Sequence, residues 1–177
     1  MPDLLSLARE LSAEGGDAPL PVERWHPKLC GTLDLTIRAD GSWVHEGTPI
    51  GRPALVRLFS RVLRRDDDAY VLVTPAEKLT IEVEDAPFLA VDFDRTDQGL
   101  RFRTNVGDMV IAGSDHPLTV RESEAAGGPV PYLHVRGRLE ARLARAVYYR
   151  LVDEASHDED GTLWVESGGE RFVLGRA

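Results

Sequence analysis

The sequence predicts an α+β protein: two related halves, each of short antiparallel strands with a helix, preceded by an N-terminal helix and linker. Three observations lead there. Strand-length runs (AYVLVT, KLTIEVE, FLAVDF, LRFRTNV, MVIA, PLTVRE) alternate with turn signals at Pro75, Ala86-Pro87, Asp97-Gln98-Gly99, Gly107 and Gly113, as in an antiparallel meander. Apolar residues at helical spacing form stripes backed by arginines. Finally, WVHEGTPIGRPALVRLFSRVLRRDDDAYVLVTP is echoed by YLHVRGRLEARLARAVYYRLVDEASHDEDGTLWVESG. In each, an aromatic-x-His strand leads through Gly-Arg into an Arg-rich helix of about 13 to 17 residues, an acidic turn and another strand. The expected division is a helix and extended linker over residues 1–28, a first half over 29–113 and a second over 114–177.

Taken in order, DLLSLARELSA reads as a short helix capped by Asp3, with Leu4, Leu7, Ala8 and Leu11 on one face. The Gly/Pro segment GGDAPLPVERWHP should run extended. In GTLDLTIR-ADGS-WVHE, Asp40-Gly41 suits a two-residue hairpin turn, which sets Arg38 opposite Trp43, Ile37 opposite Val44 and Thr36 opposite His45. Leu33, Leu35, Ile37 and Val44 then share one face, while Asp34, Thr36, Arg38, Trp43 and His45 share the other. A polar face holding a Trp and a His suits a ligand or partner surface, or a Trp packed under a loop. Pro53 opens the next helix, with Leu55, Leu58, Phe59, Val62 and Leu63 inward, Arg57, Arg61, Arg64 and Arg65 outward, and Asp66-Asp67-Asp68 at its end.

Composition narrows the function. At 177 residues, 42% hydrophobic and 29% charged, the chain is long enough for a sizeable core and has the make-up of a soluble globular protein. There is no long apolar run, and with Asp3, Arg9 and Glu10 interrupting the first apolar stretch no signal peptide is expected; the single Cys30, expected as a buried inert thiol, fits a reducing cytoplasm. The net charge of −9 argues against coating nucleic acid but leaves room for a small anion in a local basic pocket. Only Lys28 and Lys78 among the 21 basic side chains are lysines, so Lys78 stands out as a compact ammonium in TPAEK.

The chemical motifs mostly fail. There is no phosphate-binding G-x-x-x-x-G-K-[ST] and no G-x-G-x-x-G. His26, His45, His116, His134 and His157 lack metal-ligand spacing, so no metal and no cofactor is expected. The turn SHDEDGTLWVES has acids where a calcium loop needs them but Ser167 where the bidentate Glu belongs, and reads as a tight acidic turn. Ser114, Asp115 and His116 are adjacent in a turn, which is not how a triad is assembled. The densest polar patch is Thr74, Glu77 and Lys78; RFRTN adds Arg103 with Asn105, able to hold an anion or a base edge.

The blocks CGTLDLTIRADGSWVHEGTPIGRPALVRLFSRVLRRDDDAYVLVTPAEK, IEVEDAPF, FRTNVGD, AGSDHPL, PYLHVRG and LEARLARAVYYRL together resemble the bacterial domain-of-unknown-function family 1285 over residues 24–174. That resemblance implies two similar halves, the second pleckstrin-homology-like, a site for a nucleotide-based ligand at their interface and a role in signal transduction. It implies no catalytic residues. Carried onto the matched blocks, the ligand residues are Trp43, His45, Arg52, Thr74, Glu77, Lys78, Arg103, Thr104, Asn105, Tyr132, Arg136 and Arg145. Arg and Lys would hold phosphates, Tyr or Trp would stack a base, and Asn would read its edge. The leading expectation is therefore a cytoplasmic, non-enzymatic protein that binds a small anionic, nucleotide-like ligand, with no nucleic-acid or membrane partner. The alternatives are a protein-interaction module docking a peptide or partner domain, and a nucleotide-derivative hydrolase working through Glu77 or Asp85.

Overall fold

The computed structural model describes residues 3–13, 15–16, 19–124 and 126–177; the side chain of Cys30 lies outside the described set. The chain divides into two compact units, Met1–Asp85 and Ala86–Ala177.

In the first unit, helix α1 (Leu4–Ala13) buries Leu4, Leu7 and Leu11 as its spacing predicts, and the Asp3 carboxylate accepts the Leu5 N–H. A 3-10 turn (Val22–Arg24) leads to strands β1 (Leu29–Ile37), β2 (Trp43–His45) and β3 (Thr48–Pro49). Helix α2 (Pro53–Ser60) and strands β4 (Leu63–Asp66), β5 (Ala69–Val73) and β6 (Lys78–Val83) follow. The sheet order is β3-β2-β1-β6-β5-β4, antiparallel except for the central β1–β6 pair, which is parallel.

The second unit comprises β7 (Phe88–Thr96), β8 (Gly99–Thr104), β9 (Met109–Ile111), β10 (Leu118–Ser123), β11 (Gly128–Arg136) and β12 (Leu139–Leu143). Helix α3 (Arg145–Asp153) then leads into β13 (Ser156–His157), β14 (Thr162–Ser167) and β15 (Glu170–Arg176). Six strands form a sheet of order β10-β11-β12-β7-β8-β9, again with one parallel pair, β12–β7, at its centre; β13–β15 form a separate meander. Read from its β9 end, this six-stranded order repeats that of the first unit: two antiparallel three-strand groups joined through their first and last strands. The two halves are therefore similar, mostly antiparallel and sparing in helix, and the sheet of the second suits the pleckstrin-homology-like likeness.

Several expectations change. The division falls after Asp85, not near 113, because β7–β9 hydrogen-bond within the same sheet as β10–β12. The helices are shorter than the echo suggested. α2 stops at Ser60 and the next residues enter β4, so Arg64 is a buried strand residue; LEARL is strand β12, and α3 begins only at Arg145. Asp66-Asp67-Asp68 does not end a helix: Asp66 pairs with Ala69 across a two-residue turn in which Asp67 has φ 51°.

The first hairpin is shifted by one residue. Gly41 N–H bonds to the Arg38 carbonyl and Arg38 N–H to Ser42, with Gly41 at φ 88°, which is a three-residue loop closed by a bulge. Asp40 steadies it by accepting from both the backbone and the hydroxyl of Ser42. The extra loop residue moves Trp43 opposite Ile37, Val44 opposite Thr36 and His45 opposite Leu35. A one-residue slip exchanges faces, so Trp43 joins Leu33, Leu35 and Ile37 in the core, only 1% exposed. The tight two-residue turn lies one hairpin later, at Glu46-Gly47, both with positive φ, joining His45 to Thr48. Among the described residues no helix is long and apolar enough to cross a membrane.

Candidate functional site

In the second unit, β11 and β12 run antiparallel with Tyr132 opposite Arg142 and Leu133 opposite Ala141. The alternation sends Leu133, Ala141 and Leu143 into the core and leaves Tyr132 and Arg142 on the other face. Ala144 lies between β12 and α3; its carbonyl accepts the Tyr148 N–H and its side chain provides no cap. Helical spacing places Arg145, Tyr148 and Tyr149 at i, i+3 and i+4, together on one flank, while Val147 and Leu151 anchor the other in the core.

Between this flank and the Ala126–Pro131 segment that begins β11 lies a cleft of about 230 Å³, lined also by Arg142 and Leu143. Tyr148 is fixed in its wall: the phenol donates to the Leu174 carbonyl at 2.8 Å. Burial, and secondarily the negative charge of Glu122, push that phenol up from its ordinary value, so it stays a neutral donor. Tyr149 is 57% exposed, its ring 6.4 Å from that of Tyr148 and tilted 28° to it. Arg145 is exposed beside them, and no carboxylate pairs with it among the described residues. The cleft thus combines guanidinium groups, one fixed and one exposed phenol ring, and an apolar strand edge, the mixture that binds a planar, anionic small molecule.

The residues singled out from the sequence do not all converge here. Arg145 lines the cleft. Tyr132 lies nearby but is 6% exposed, and the Arg121 guanidinium covers its ring at 3.8 Å while making two hydrogen bonds to Glu140. Arg103, Thr104, Asn105 and Arg136 form a separate group around the start of β7. Thr104 is buried and accepts the Asp108 N–H; Asn105 exchanges hydrogen bonds with Leu89; Arg136 lies over Phe88 and 3.8 Å from Asp108; Arg103 is 3.9 Å from Asp92.

The other residues are in the first unit. Trp43 is core, His45 is half-buried, and Arg52 is the exposed residue before α2. Thr74 is buried and its hydroxyl accepts the Ala76 and Glu77 N–H groups, closing the β5–β6 turn. Lys78 binds Asp66 at 3.1 Å, so its ammonium is engaged in the fold.

Other motifs resolve as structure. Asp158 accepts the Trp164 indole N–H and pairs with Arg171, and Asp160 pairs with Arg176, so both aspartates of SHDEDGTLWVES are tied to neighbouring side chains. Ser114 and Asp115 are exposed while the His116 Nδ1 lies 3.2 Å from the His134 carbonyl, which leaves no triad there. Sequence reasoning missed Arg142, Tyr148 and Tyr149. Their signal was present in R-x-x-R-x-x-Y-Y, but it was read within one long helix instead of across a strand-to-helix corner.

Two family models match the chain: "Domain of unknown function (DUF1285), N-terminal domain" over residues 20–86, and "Protein of unknown function (DUF1285), C-terminal domain" over 87–174. Among solved structures, a DUF1285 family protein from Silicibacter pomeroyi DSS-3 is 44% identical with a TM-score of 0.88, over 96% of this chain and 94% of that one. A DUF1285 family protein from Shewanella baltica OS155 is 32% identical with a TM-score of 0.57, over 69% of this chain and 92% of that one. A search of curated proteins finds no match.

Proposed function

The chain belongs to the DUF1285 family, and on the geometry of its second unit we propose that it is a non-enzymatic protein that binds a small anionic, nucleotide-like ligand in the α3 cleft, in a sensing role in signal transduction. The observation behind this reading is the placement of Arg145 and Tyr149 together on the α3 flank that lines the cleft. Arg145 supplies a planar fork for a phosphate or carboxylate, and Tyr149 supplies an exposed ring for a base to stack on. At about 230 Å³ the cleft suits a mononucleotide held in part and projecting into solvent, and is small for an enclosed dinucleotide.

A thermal-shift screen against nucleoside monophosphates, dinucleotides and signalling nucleotides tests the reading. A ligand at a hundredfold its Kd adds about 2.7 kcal/mol, which at this chain length raises Tm by roughly 5 to 10 °C. Arg145→Ala and Tyr149→Ala, both exposed substitutions, are expected to keep the unliganded Tm and weaken binding about tenfold or more. A flat screen against a cooperatively melting protein overturns the reading and favours a protein-docking module. Turnover of a screened nucleotide favours a hydrolase instead.

A further inference from the structure

His116 and His134, far apart in sequence, meet in the second unit: their Nδ1 atoms are 3.3 Å apart and their ring centroids 5.4 Å apart. The contacts fix the tautomers. His134 Nε2 lies 2.6 Å from the Gly137 carbonyl, which can only accept, so Nε2 carries the proton and Nδ1 of the neutral ring presents a lone pair. His116 Nδ1–H then points at that lone pair and at the His134 carbonyl, 3.2 Å away. One proton therefore sits between two imidazole nitrogens, each held by its own backbone: His116 by the Gly113–His116 turn, His134 by β11.

We propose that this pair is a binding site for a divalent transition-metal ion, such as Zn²⁺, with two protein nitrogens and open positions for water or an exogenous ligand. Two imidazole nitrogens at 2.0–2.1 Å from a tetrahedral ion lie about 3.3 Å from each other, the separation found here. The His134 Nε2–H bond to a backbone carbonyl is the outer contact that orients a metal-ligating imidazole and sets which nitrogen binds. To bind through Nδ1 as a neutral ring, His116 takes its other tautomer: the Nδ1 proton passes to water and water returns one to Nε2, so no net proton is released and both Nδ1 lone pairs face the ion. No group of three His, Cys, Asp or Glu side chains gathers here among the described residues, and Glu140, opposite His134 on β12, is held by Arg121. The site is therefore two-coordinate from the protein, with the modest affinity of an open site rather than that of a structural centre.

The test is a Zn²⁺ titration of the full chain followed on the imidazole ¹⁵N signals. The expected result is one ion per chain, with the Nδ1 resonances of His116 and His134 shifting together, and a loss of affinity of about tenfold or more in His116→Ala and in His134→Ala. His157→Ala is expected to leave the binding unchanged. Should His134→Ala fail to fold, His116→Ala, in the turn between β9 and β10, decides. No shift at these two nitrogens, or affinity unchanged in His116→Ala, overturns the proposal and leaves the pair as a proton-sharing contact.

Discussion

Replacing Arg64 by methionine is expected to lower the stability of the first unit by about 3 kcal/mol, the size of effect seen when one partner of a buried charge network is removed. The Arg64 side chain is 8% exposed and its guanidinium makes four hydrogen bonds. Nη1 donates to the carbonyls of Val22 and Trp25 at 2.6 and 2.8 Å, while Nε and Nη2 grip both oxygens of Asp66 at 2.6 and 2.9 Å. It therefore ties the 3-10 turn to β4. Methionine fills much of the volume but removes the donor from the Trp25 carbonyl, leaves the Val22 carbonyl with only the Trp25 N–H, and leaves Asp66 with Lys78 alone. Denaturant unfolding followed by the fluorescence of Trp25 and Trp43 measures the loss; a change under about 1 kcal/mol would contradict this account of the network.

The same network sets an acid limit. Hydrogen bonding from Arg64, and then from Lys78, holds the Asp66 carboxyl below its ordinary value against the opposing effect of burial. Because the folded value is lower than the unfolded one, this stabilisation is complete above the unfolded value, about 4, and is lost as pH falls through the folded value. Wild type should accordingly lose more stability than Arg64→Met between pH 5 and pH 2. Equal acid sensitivity in the two proteins would show that Asp66 is not the group responsible.

Replacing Gly168 by alanine is expected to cost the second unit a further, comparable amount, about 3 kcal/mol. Gly168 sits at φ 60°, and an added Cβ would lie 2.7 Å from the Ala112 carbonyl oxygen and 3.0 Å from the Gly113 Cα, both backbone atoms with little freedom to move. Left-handed backbone alone costs a β-carbon residue about 1–2 kcal/mol, and the clash adds to it. The close approach has a purpose. Ser167, next to it, accepts the Leu100 N–H at 2.8 Å and donates to the Ala112 carbonyl at 2.7 Å, so one buried hydroxyl completes the ends of β8 and β9 and joins them to the β14–β15 hairpin. Gly99 is lean for the same reason: a Cβ there would meet the Ser167 hydroxyl at 2.4 Å. Thermal unfolding of Gly168→Ala, with the Trp164 signal as reporter, checks this; an unchanged Tm would contradict it.

What was legible in the sequence was what short-range physics decides. The α1 stripe, the strand segments and most turns follow from local periodicity and turn residues; the two-half plan holds, but the echo it was read from sets β2 against β11, which occupy different places in the two sheets. The errors came from longer-range choices. Asp40-Gly41 serves equally in a two-residue turn or in a type I turn with a bulge, and only packing of Trp43 against the core selects the latter. LRR and LEARL carry helix-forming residues yet pair as strands, because β5 and β11 offer partners that no local propensity reports. The parallel β1–β6 and β12–β7 pairings have no local signature at all. The cleft was half legible: Arg145 was found, but Arg142, Tyr148 and Tyr149 become neighbours only once the corner between β12 and α3 is known.

The central claim, that the α3 cleft is the ligand site, is tested most directly by amide chemical-shift mapping of the ¹⁵N-labelled chain titrated with AMP. The account predicts saturable shifts concentrated at residues 126–131 and 145–149, abolished in Arg145→Ala. Shifts centred elsewhere in the chain, or none up to millimolar nucleotide, would contradict it.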